Sequence, residues 1–264
     1  IMLIPFIKMQ AQGNDFVILD LFEQKMAEMD YPRLAIDICK PHFGVAADGL
    51  VLLFPHPGAD ARMTIYNNDG SLAEMCGSAL RCVSALMMQK TGRDELNILT
   101  DSGLKQAKKE KDAIVVNLGI AKLLRKSFPV EQFRGDLVDI GNPHYVVFVD
   151  SLDDDPHLKY GSVLEHHPAF EKPVNAHFVK VLEPGRIQMK IWEHACGATL
   201  ACGTGAASSV YAGIRRGLLD AHVQVDVPGG DLHIVLQADE SLLLSGTVAE
   251  SFRGIYPWKT SASI

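Results

Sequence analysis

Two cysteines of the sequence, Cys76 and Cys202, lie in matching contexts, because each is followed directly by a glycine and then by a small hydroxyl residue. A helix is predicted to begin just after each of them, and the first N–H groups of a helix carry partial positive charge. A thiol at this position ionises more readily, and the same N–H groups can bind a carboxylate. Inverting a carbon beside a carboxylate needs a base on one face and a proton donor on the other. The pair therefore predicts two-thiol proton transfer at the α-carbon of an amino acid.

The two cysteine motifs belong to an internal duplication of the chain. The segment Met63–Tyr66 aligns with Met189–Trp192 at the same offset that separates the two cysteines, 126 residues. Near the start of each half, Gly13–Asp20 matches Gly141–Asp150 at an offset of 128 residues. A period this long is typical of two related domains rather than of a solenoid. We predict domains at residues 1–125 and 126–264, with the extreme C-terminus able to pack back on the N-terminal half.

The elements that must position the cysteines are helices with clear stop signals. Apolar spacing predicts one helix over Ser78–Lys90, ended by Gly92, and another over Thr204–Arg216, ended by Gly217. Most of the remaining chain consists of short apolar runs separated by Gly, Pro and Asp, which predict strands. The predicted strands include Phe16–Leu19, Gly49–Phe54, Ile114–Leu118, Val223–Val227, Leu232–Leu236 and Leu242–Gly246. The fold class is therefore α/β, of the α+β type.

Composition narrows the possible partners and location. The chain has 47% hydrophobic and 22% charged residues and a net charge of −7. No apolar run approaches the roughly 20 residues of a membrane span, so no membrane partner is expected. The only basic block, Lys105–Lys111, is predicted to be a solvated turn. The sequence therefore disfavours nucleic acid as a binding partner. The segment Met2–Lys8 lacks the features of a secretory signal, and five cysteines fit free thiols in a reducing cytoplasm.

The sequence disfavours other uses of the cysteines. Cys39 and Cys82 are interpreted as structural core residues. Zinc is disfavoured because the pairs Cys76/Cys82 and Cys196/Cys202 have C-x5-C spacing, wider than the usual structural zinc turns. A redox pair lacks the C-x-x-C motif. No nucleotide-binding or H-E-x-x-H motif is present. A pyridoxal-phosphate lysine is not excluded by sequence, although no residue points to one, so no cofactor and no metal are predicted.

Four segments form a specific combined signature: Gln12–Phe16, Asn67–Gly77, Gly141–His144 and Thr199–Gly205. With these segments, the sequence resembles the diaminopimelate epimerase family over essentially its whole length. The resemblance implies two pseudo-symmetric domains, each a sheet wrapped around a central helix and each carrying one catalytic thiol. It also implies a small-molecule amino-acid substrate, a metal-free and pyridoxal-free reaction in lysine and peptidoglycan-precursor synthesis, and a possible homodimer.

The resemblance also implies roles for individual residues. Cys76 and Cys202 would be the acid/base pair, with His144 and Glu193 lining the reacting centre. The reacting carboxylate would be held by the backbone amides of Gly77, Ser78, Gly203 and Thr204. Substrate polar groups would contact Asn14, Asn67, Asn142 and Asn175. Simpler alternatives stay open: an asparagine in a turn or cap, a buried structural histidine, and a carboxylate at a strand end.

Two positions depart from the family pattern. Ser78 replaces an asparagine, but its backbone N–H group is kept. His194 replaces the arginine that is expected to bind the distal carboxylate of the substrate, and an imidazole lacks the bidentate fork of a guanidinium. We therefore assign His194 to substrate binding and keep two enzyme hypotheses. The first is diaminopimelate epimerase, and the second is a racemase of another amino acid, such as histidine, on the same fold.

Two further alternatives are less favoured. A proline-racemase-like enzyme would also use paired cysteines, but the Asp-Arg-Ser-Pro sequence expected before its second motif is missing. A ligand-binding or interaction protein without catalytic activity would have no need to keep both Cys-Gly motifs.

Overall fold

The computed structural model describes residues 1–22, 29–73 and 75–259. The described residues fall into two compact units. Unit 1 lies within the segments 1–11, 15–109 and 248–264, and unit 2 comprises residues 12–14 and 110–247. The division into domains at residues 125/126 stays a prediction of the sequence.

The described residues form four helices and eighteen strands. In chain order they are β1 (Met2–Ala11), β2 (Asn14–Asp20), α1 (Tyr31–Cys39), β3 (Gly49–His56), β4 (Ala59–Asn67), β5 (Leu72–Ala73), α2 (Gly77–Thr91), β6 (Glu95–Thr100), β7 (Gly103–Glu110), β8 (Ala113–Ile120), β9 (Lys122–Val130), β10 (Phe133–Asp139), β11 (Pro143–Phe148), α3 (Pro156–Glu165), β12 (Asn175–Glu183), β13 (Arg186–Glu193), β14 (Gly197–Ala198), α4 (Gly203–Arg215), β15 (His222–Val227), β16 (Gly230–Leu236), β17 (Ser241–Gly246) and β18 (Ala249–Trp258).

Unit 1 is a sheet packed around helix α2. Its strands pair in the order β18, β1, β2, β3, β4, β6 and β7, and the short strand β5 also pairs with β4. The pairs β2/β3 and β4/β6 are parallel. Helix α2 packs against β1, β4 and β6, and 11 of its 15 residues are buried. A helix buried on all sides must be surrounded by the rest of its domain.

Unit 2 repeats this arrangement around helix α4. Its strands pair in the order β9, β10, β11, β12, β13, β15, β16, β17 and β8, and β14 pairs with β13. The pairs β11/β12 and β13/β15 are parallel, as are their counterparts in unit 1. The small residues of Gly203–Ser209 let the strands approach α4 closely, and 11 of its 13 residues are buried.

The structure confirms the predicted fold class and the predicted helices and strands. The helices predicted over Ser78–Lys90 and Thr204–Arg216 are α2 and α4, and Gly92 and Gly217 have the left-handed φ values of 71° and 72°. All six predicted strands lie within described strands. Both cysteines assigned to the core, Cys39 and Cys82, are fully buried.

The interpretation of Lys105–Lys111 as a solvated turn is wrong. Most of the stretch belongs to β7, which pairs with β6 and buries Ala107 opposite Leu96. Backbone hydrogen bonds to β6 and this one buried side chain are enough to hold a lysine-rich segment as a strand, and only its last residue lies in the following turn. Within the described ranges, no helix is both long enough and apolar enough to cross a bilayer.

Candidate active site

Cys202 is the N-cap residue of α4. Its backbone is extended, with φ −138° and ψ 108°, and its Sγ accepts a hydrogen bond from the backbone N–H of Gly205 at 3.3 Å. The Thr204 hydroxyl lies 3.7 Å from the same sulfur. The thiol therefore lies against the free N–H groups of a helix, as the sequence predicts.

Cys76 has the equivalent position in unit 1. It is the N-cap of α2, with φ −144° and ψ 115°, and its side chain is partly exposed. In each helix the cysteine carbonyl accepts the first helical hydrogen bond, from Leu80 in α2 and from Ala206 in α4, at 2.9 Å in both. The two motifs thus have the same local geometry, each built within its own unit.

Two buried histidines form a hydrogen-bonded chain beside Cys202. His144 of β11 and His177 of β12 lie on neighbouring parallel strands, and Nδ1 of His144 is 2.8 Å from Nε2 of His177. The other ring nitrogen of His144, Nε2, is 2.9 Å from the Asn142 side-chain oxygen. Since that oxygen can only accept, His144 donates through Nε2 and accepts from His177 through Nδ1.

Both imidazoles are neutral. Burial lowers the pKa of His144 well below its ordinary value, and the neighbouring His177 lowers it further. Burial lowers the pKa of His177 to about 3. The ring of His177 packs on the first turn of α4, where a Cβ atom at residue 205 would lie 2.4 Å from its Cε1. Gly205 is therefore required for this packing.

The thiol of Cys202 is protonated in this environment. Burial raises its pKa well above the ordinary value, and the negative charge of Glu193 and its hydrogen bond to the thiol raise it further. Hydrogen bonds from Thr204 and Gly205 lower the pKa but do not outweigh these effects. The expectation of a more acidic thiol is wrong for Cys202, because loss of solvent and a nearby carboxylate dominate over the helix N-terminus.

Glu193 ends β13 and reaches the Cys202 thiol because the chain turns back sharply after it. The two-residue strand β14 pairs with the end of β13, with Gly197 opposite Glu193. This turn brings the Thr199 hydroxyl to 2.5 Å from Glu193 Oε1. The carboxylate is thus fixed by Thr199 and available to Cys202, which is consistent with its predicted place at the reacting centre.

Asn175 connects two strand ends in unit 2. Its Nδ2 donates to the Pro143 carbonyl at 3.1 Å, and its Oδ1 accepts from the His194 backbone N–H at 3.0 Å. The side chain is buried and holds the segments that carry His144 and His194 in place. Its predicted contact with substrate stays a prediction.

His194 is held by a buried carboxylate at the end of α3. Glu165 Oε1 lies 2.7 Å from His194 Nδ1 and accepts from the Ala195 N–H at 2.9 Å, while Oε2 accepts from Trp192 Nε1 at 2.8 Å. Burial raises the pKa of Glu165, but the hydrogen bonds from Trp192, Ala195 and His194, with the charge of His166, outweigh burial and lower it. His194 therefore faces a negative charge inside its own unit.

The remaining predicted residues divide between the units. Asn67, Gly77 and Ser78 lie in unit 1 with Cys76. Asn67 donates from Nδ2 to the Ser71 hydroxyl at 2.9 Å, which fits the turn alternative, whereas Gly77 and Ser78 are buried in the first turn of α2. Asn14 is buried at the start of β2, in a segment that groups with unit 2. Gly203 and Thr204 are buried in the first turn of α4.

Sequence reasoning missed two residues of the site, His177 and Glu165. His177 lies two positions after Asn175 on the same strand, so the alternation of side chains places both on one face. That spacing was the available signal for His177. Nothing local marks Glu165, since its contacts to the segment 192–195 come from chain folding alone.

Comparison with known proteins shows first the fold and then the family. Solved structures with the same fold include a hydroxyproline epimerase from Agrobacterium vitis (TM-score 0.74, 14% identity, 96% of this chain and 92% of that one). Another is a probable proline racemase from Agrobacterium radiobacter K84 (TM-score 0.78, 15% identity, 98% and 94%). These similarities show that this chain has the same fold as those two structures.

Similarity of sequence is more specific. The diaminopimelate epimerase family profile matches residues 6–124 and 137–249. The diaminopimelate epimerase of Pelotomaculum thermopropionicum is 39% identical over 278 residues, covering 97% of this chain and 99% of the relative. That of Carboxydothermus hydrogenoformans is 39% identical over 270 residues, covering 95% and 98%. The chain therefore belongs to the diaminopimelate epimerase family and is an isomerase.

Proposed function

We propose that the protein is a diaminopimelate epimerase, which interconverts L,L- and meso-diaminopimelate by proton transfer between two cysteines. The observation that carries the proposal is the repeated N-cap thiol. Cys76 and Cys202 head buried helices with nearly the same backbone angles, in a chain 39% identical to relatives named for this reaction. A thiol at each helix N-terminus combines an acid/base group with N–H donors for a carboxylate.

The proposal gives each of these groups a part in the reaction. One cysteine, as thiolate, removes the α-proton, and the other donates a proton from the opposite face. Cys202 is a neutral thiol and therefore enters as the donor, while the Glu193 carboxylate beside it can take the thiol proton when the direction reverses. The negative charge that develops on the substrate carboxylate is stabilised by the helix N–H groups. Those donors are the amides of Gly77, Ser78, Gly203 and Thr204.

The proposal also covers the setting of the reaction. The substrate is a small amino acid, and the acid/base groups need neither pyridoxal phosphate nor a metal. The net charge of −7 disfavours nucleic acid as a partner. We propose that the reaction belongs to lysine biosynthesis and takes place in the cytoplasm. We also propose that the enzyme is a homodimer, and sedimentation at several protein concentrations tests this oligomeric state.

Deuterium exchange tests the proposed function. In D2O, with no added cofactor, the purified protein is expected to introduce deuterium at the α-carbon of L,L-diaminopimelate and to form the meso isomer. Mass spectrometry and chiral chromatography measure the two outcomes. Deuterium exchange confined to monocarboxylic amino acids would contradict the proposed substrate. Absence of exchange across a panel of amino acids would contradict the proposed reaction.

One observation favours a second candidate, a racemase for an amino acid without a distal carboxylate, such as histidine. His194 occupies the position where the family pattern has arginine, and its Nδ1 is bonded to the buried carboxylate of Glu165. An imidazole already paired with a carboxylate offers little charge to a second one. If the protein is such a racemase, the distal part of its substrate is neutral or cationic.

The variant His194→Arg tests whether the chain lacks a group that binds the distal carboxylate of diaminopimelate. A guanidinium can bind a carboxylate through two charge-assisted hydrogen bonds, each worth about 1.5 kcal/mol or more. We expect kcat/KM for diaminopimelate to rise at least about tenfold, mainly through KM. Steady-state kinetics on diaminopimelate and histidine measure the change.

The matched control is His166→Arg, which adds the same charge next to Glu165 but not at position 194. In the native chain, Nε2 of His166 is 3.3 Å from Glu165 Oε1. Equal gains in both variants would show a general charge effect rather than a distal binding site. No gain with His194→Arg would remove residue 194 from substrate recognition.

A further inference from the structure

Three buried donor atoms converge in unit 2. The Cys202 sulfur and one ring nitrogen each from His144 and His177 all lie within 4.8 Å of one another. In a tetrahedral zinc site, bond lengths of 2.0–2.3 Å place two nitrogens about 3.3 Å apart and nitrogen and sulfur about 3.6 Å apart. The histidine nitrogens are already 2.8 Å apart. Changes of at most about 1.2 Å in these separations would therefore bring the three atoms to ligand spacing.

The donor set matches a thiophilic divalent cation. Thiolate and imidazole are the preferred ligands of zinc, and three protein ligands with one open position form a common zinc geometry. The two histidines lie on neighbouring strands and the cysteine on a helix N-cap, so each ligand comes from a different rigid element. Such placement limits the reorganisation that binding requires.

The surroundings provide the supporting contacts of a metal site. His144 donates its Nε2 proton to the Asn142 oxygen, the kind of outer hydrogen bond that orients a ligating imidazole. The nearby Glu193 carboxylate supplies a second negative charge besides a Cys202 thiolate, which together balance a divalent ion. Nδ1 of His177 is buried and has no hydrogen-bond partner among the described residues. This nitrogen can therefore take up the proton that Nε2 of His177 gives up if Nε2 binds an ion.

We propose that His144, His177 and Cys202 form a binding site for a thiophilic divalent cation such as Zn²⁺, and that occupancy stops proton transfer at Cys202. On binding, the sulfur–proton bond breaks, the sulfur–metal bond forms and the proton leaves to solvent. The proton shared by the two histidines moves to the free Nδ1 of His177. A sulfur bound to the ion cannot exchange a proton with a substrate carbon. The binding stands on the geometry alone, whereas the inhibition rests on the proposed function.

Metal binding is measured without substrate. The full chain is stripped with a chelator and titrated with Co²⁺, whose thiolate complexes give a charge-transfer absorption band, and with Zn²⁺ in a calorimeter. We expect one ion per chain and a thiolate band with Co²⁺. Cys202→Ser is expected to abolish the band. His177→Gln removes a direct ligand and is expected to weaken Zn²⁺ binding by at least about 100-fold, the upper end of the loss caused by removing only an outer contact of a ligand.

Matched controls use residues of the same types outside the trio. Cys196→Ser and His166→Gln each remove a thiol or an imidazole from unit 2, and both are expected to leave the band and the Zn²⁺ affinity unchanged. A band that survives Cys202→Ser but disappears in Cys196→Ser would overturn the proposal. So would a wild-type chain that binds neither ion at submillimolar concentration.

Inhibition is measured separately, by deuterium exchange with and without Zn²⁺. Exchange that falls as the site fills and returns after chelation supports the proposed effect on Cys202. Undiminished exchange at full occupancy overturns the inhibition while leaving the binding site in place. A chain that binds the ion but has no exchange activity to inhibit contradicts the proposed function, not the metal site.

Discussion

Serine in place of Cys202 is expected to lower the rate of epimerisation by about 10²- to 10⁴-fold, the range in which a positioned general acid or base contributes to a rate. A serine hydroxyl is a far weaker acid than a thiol, so it neither gives up nor takes a proton at a useful rate. It is nearly the same size and can still accept the hydrogen bond that Gly205 donates to the native sulfur. The loss should therefore reflect chemistry rather than misfolding.

Cys76→Ser is expected to have an effect of the same order, because the two residues have equivalent N-cap positions. Chiral analysis of the product together with α-deuterium content checks both variants. Each single variant keeps one thiol, so exchange with retention of configuration is expected to outlast inversion. Cys196→Ser, which removes a partly exposed thiol of unit 2, serves as the control and should epimerise at the wild-type rate. Wild-type inversion by Cys202→Ser would contradict two-thiol transfer.

Local signals in the sequence were sufficient for the helices that carry the cysteines. Helix α2 is ended by Gly92, and α4 is followed by Gly217, both in left-handed conformations that glycine adopts without strain. Since a helix start, its apolar spacing and its stop lie within about 15 residues, the N-cap position of each thiol follows from nearby residues. The duplication then shows that the two are equivalent.

Properties that depend on distant parts of the chain could not be predicted. The helix N-terminus alone indicates an acidic thiol at Cys202, yet burial and the Glu193 carboxylate raise its pKa. Glu165 binds the segment 192–195 from the end of a different helix, and no spacing rule connects the two. Pairing with β6 likewise decided the structure of Lys105–Lys111, since strand partners come from folding rather than from composition.

The buried histidine pair is expected to make folding stability fall steeply with acid. His177 titrates near pH 3 in the folded chain against an ordinary pKa of 6.5, and burial lowers the pKa of His144 as well. Below pH 6.5 the unfolded chain binds protons that the folded chain excludes, so stability is full above pH 6.5 and is lost as pH falls towards 3. Each histidine can cost up to about 1.4 kcal/mol per pH unit in this window.

Urea unfolding at pH 7, 6, 5 and 4 measures this loss, and His177→Gln removes one of the two imidazoles. The glutamine amide can still donate to His144, yet it takes up no proton in this range. The variant should therefore lose less stability than wild type for each unit of pH, by up to about 1.4 kcal/mol. Every carboxylate titrates in both proteins, so the difference between their slopes reports on His177 and on its effect on the pKa of His144. His222→Gln, at an exposed position on β15, should keep the wild-type slope. Equal slopes of stability against pH in wild type and His177→Gln would mean that the folded chain accepts a proton at His177. That result would contradict the neutral state of this buried imidazole.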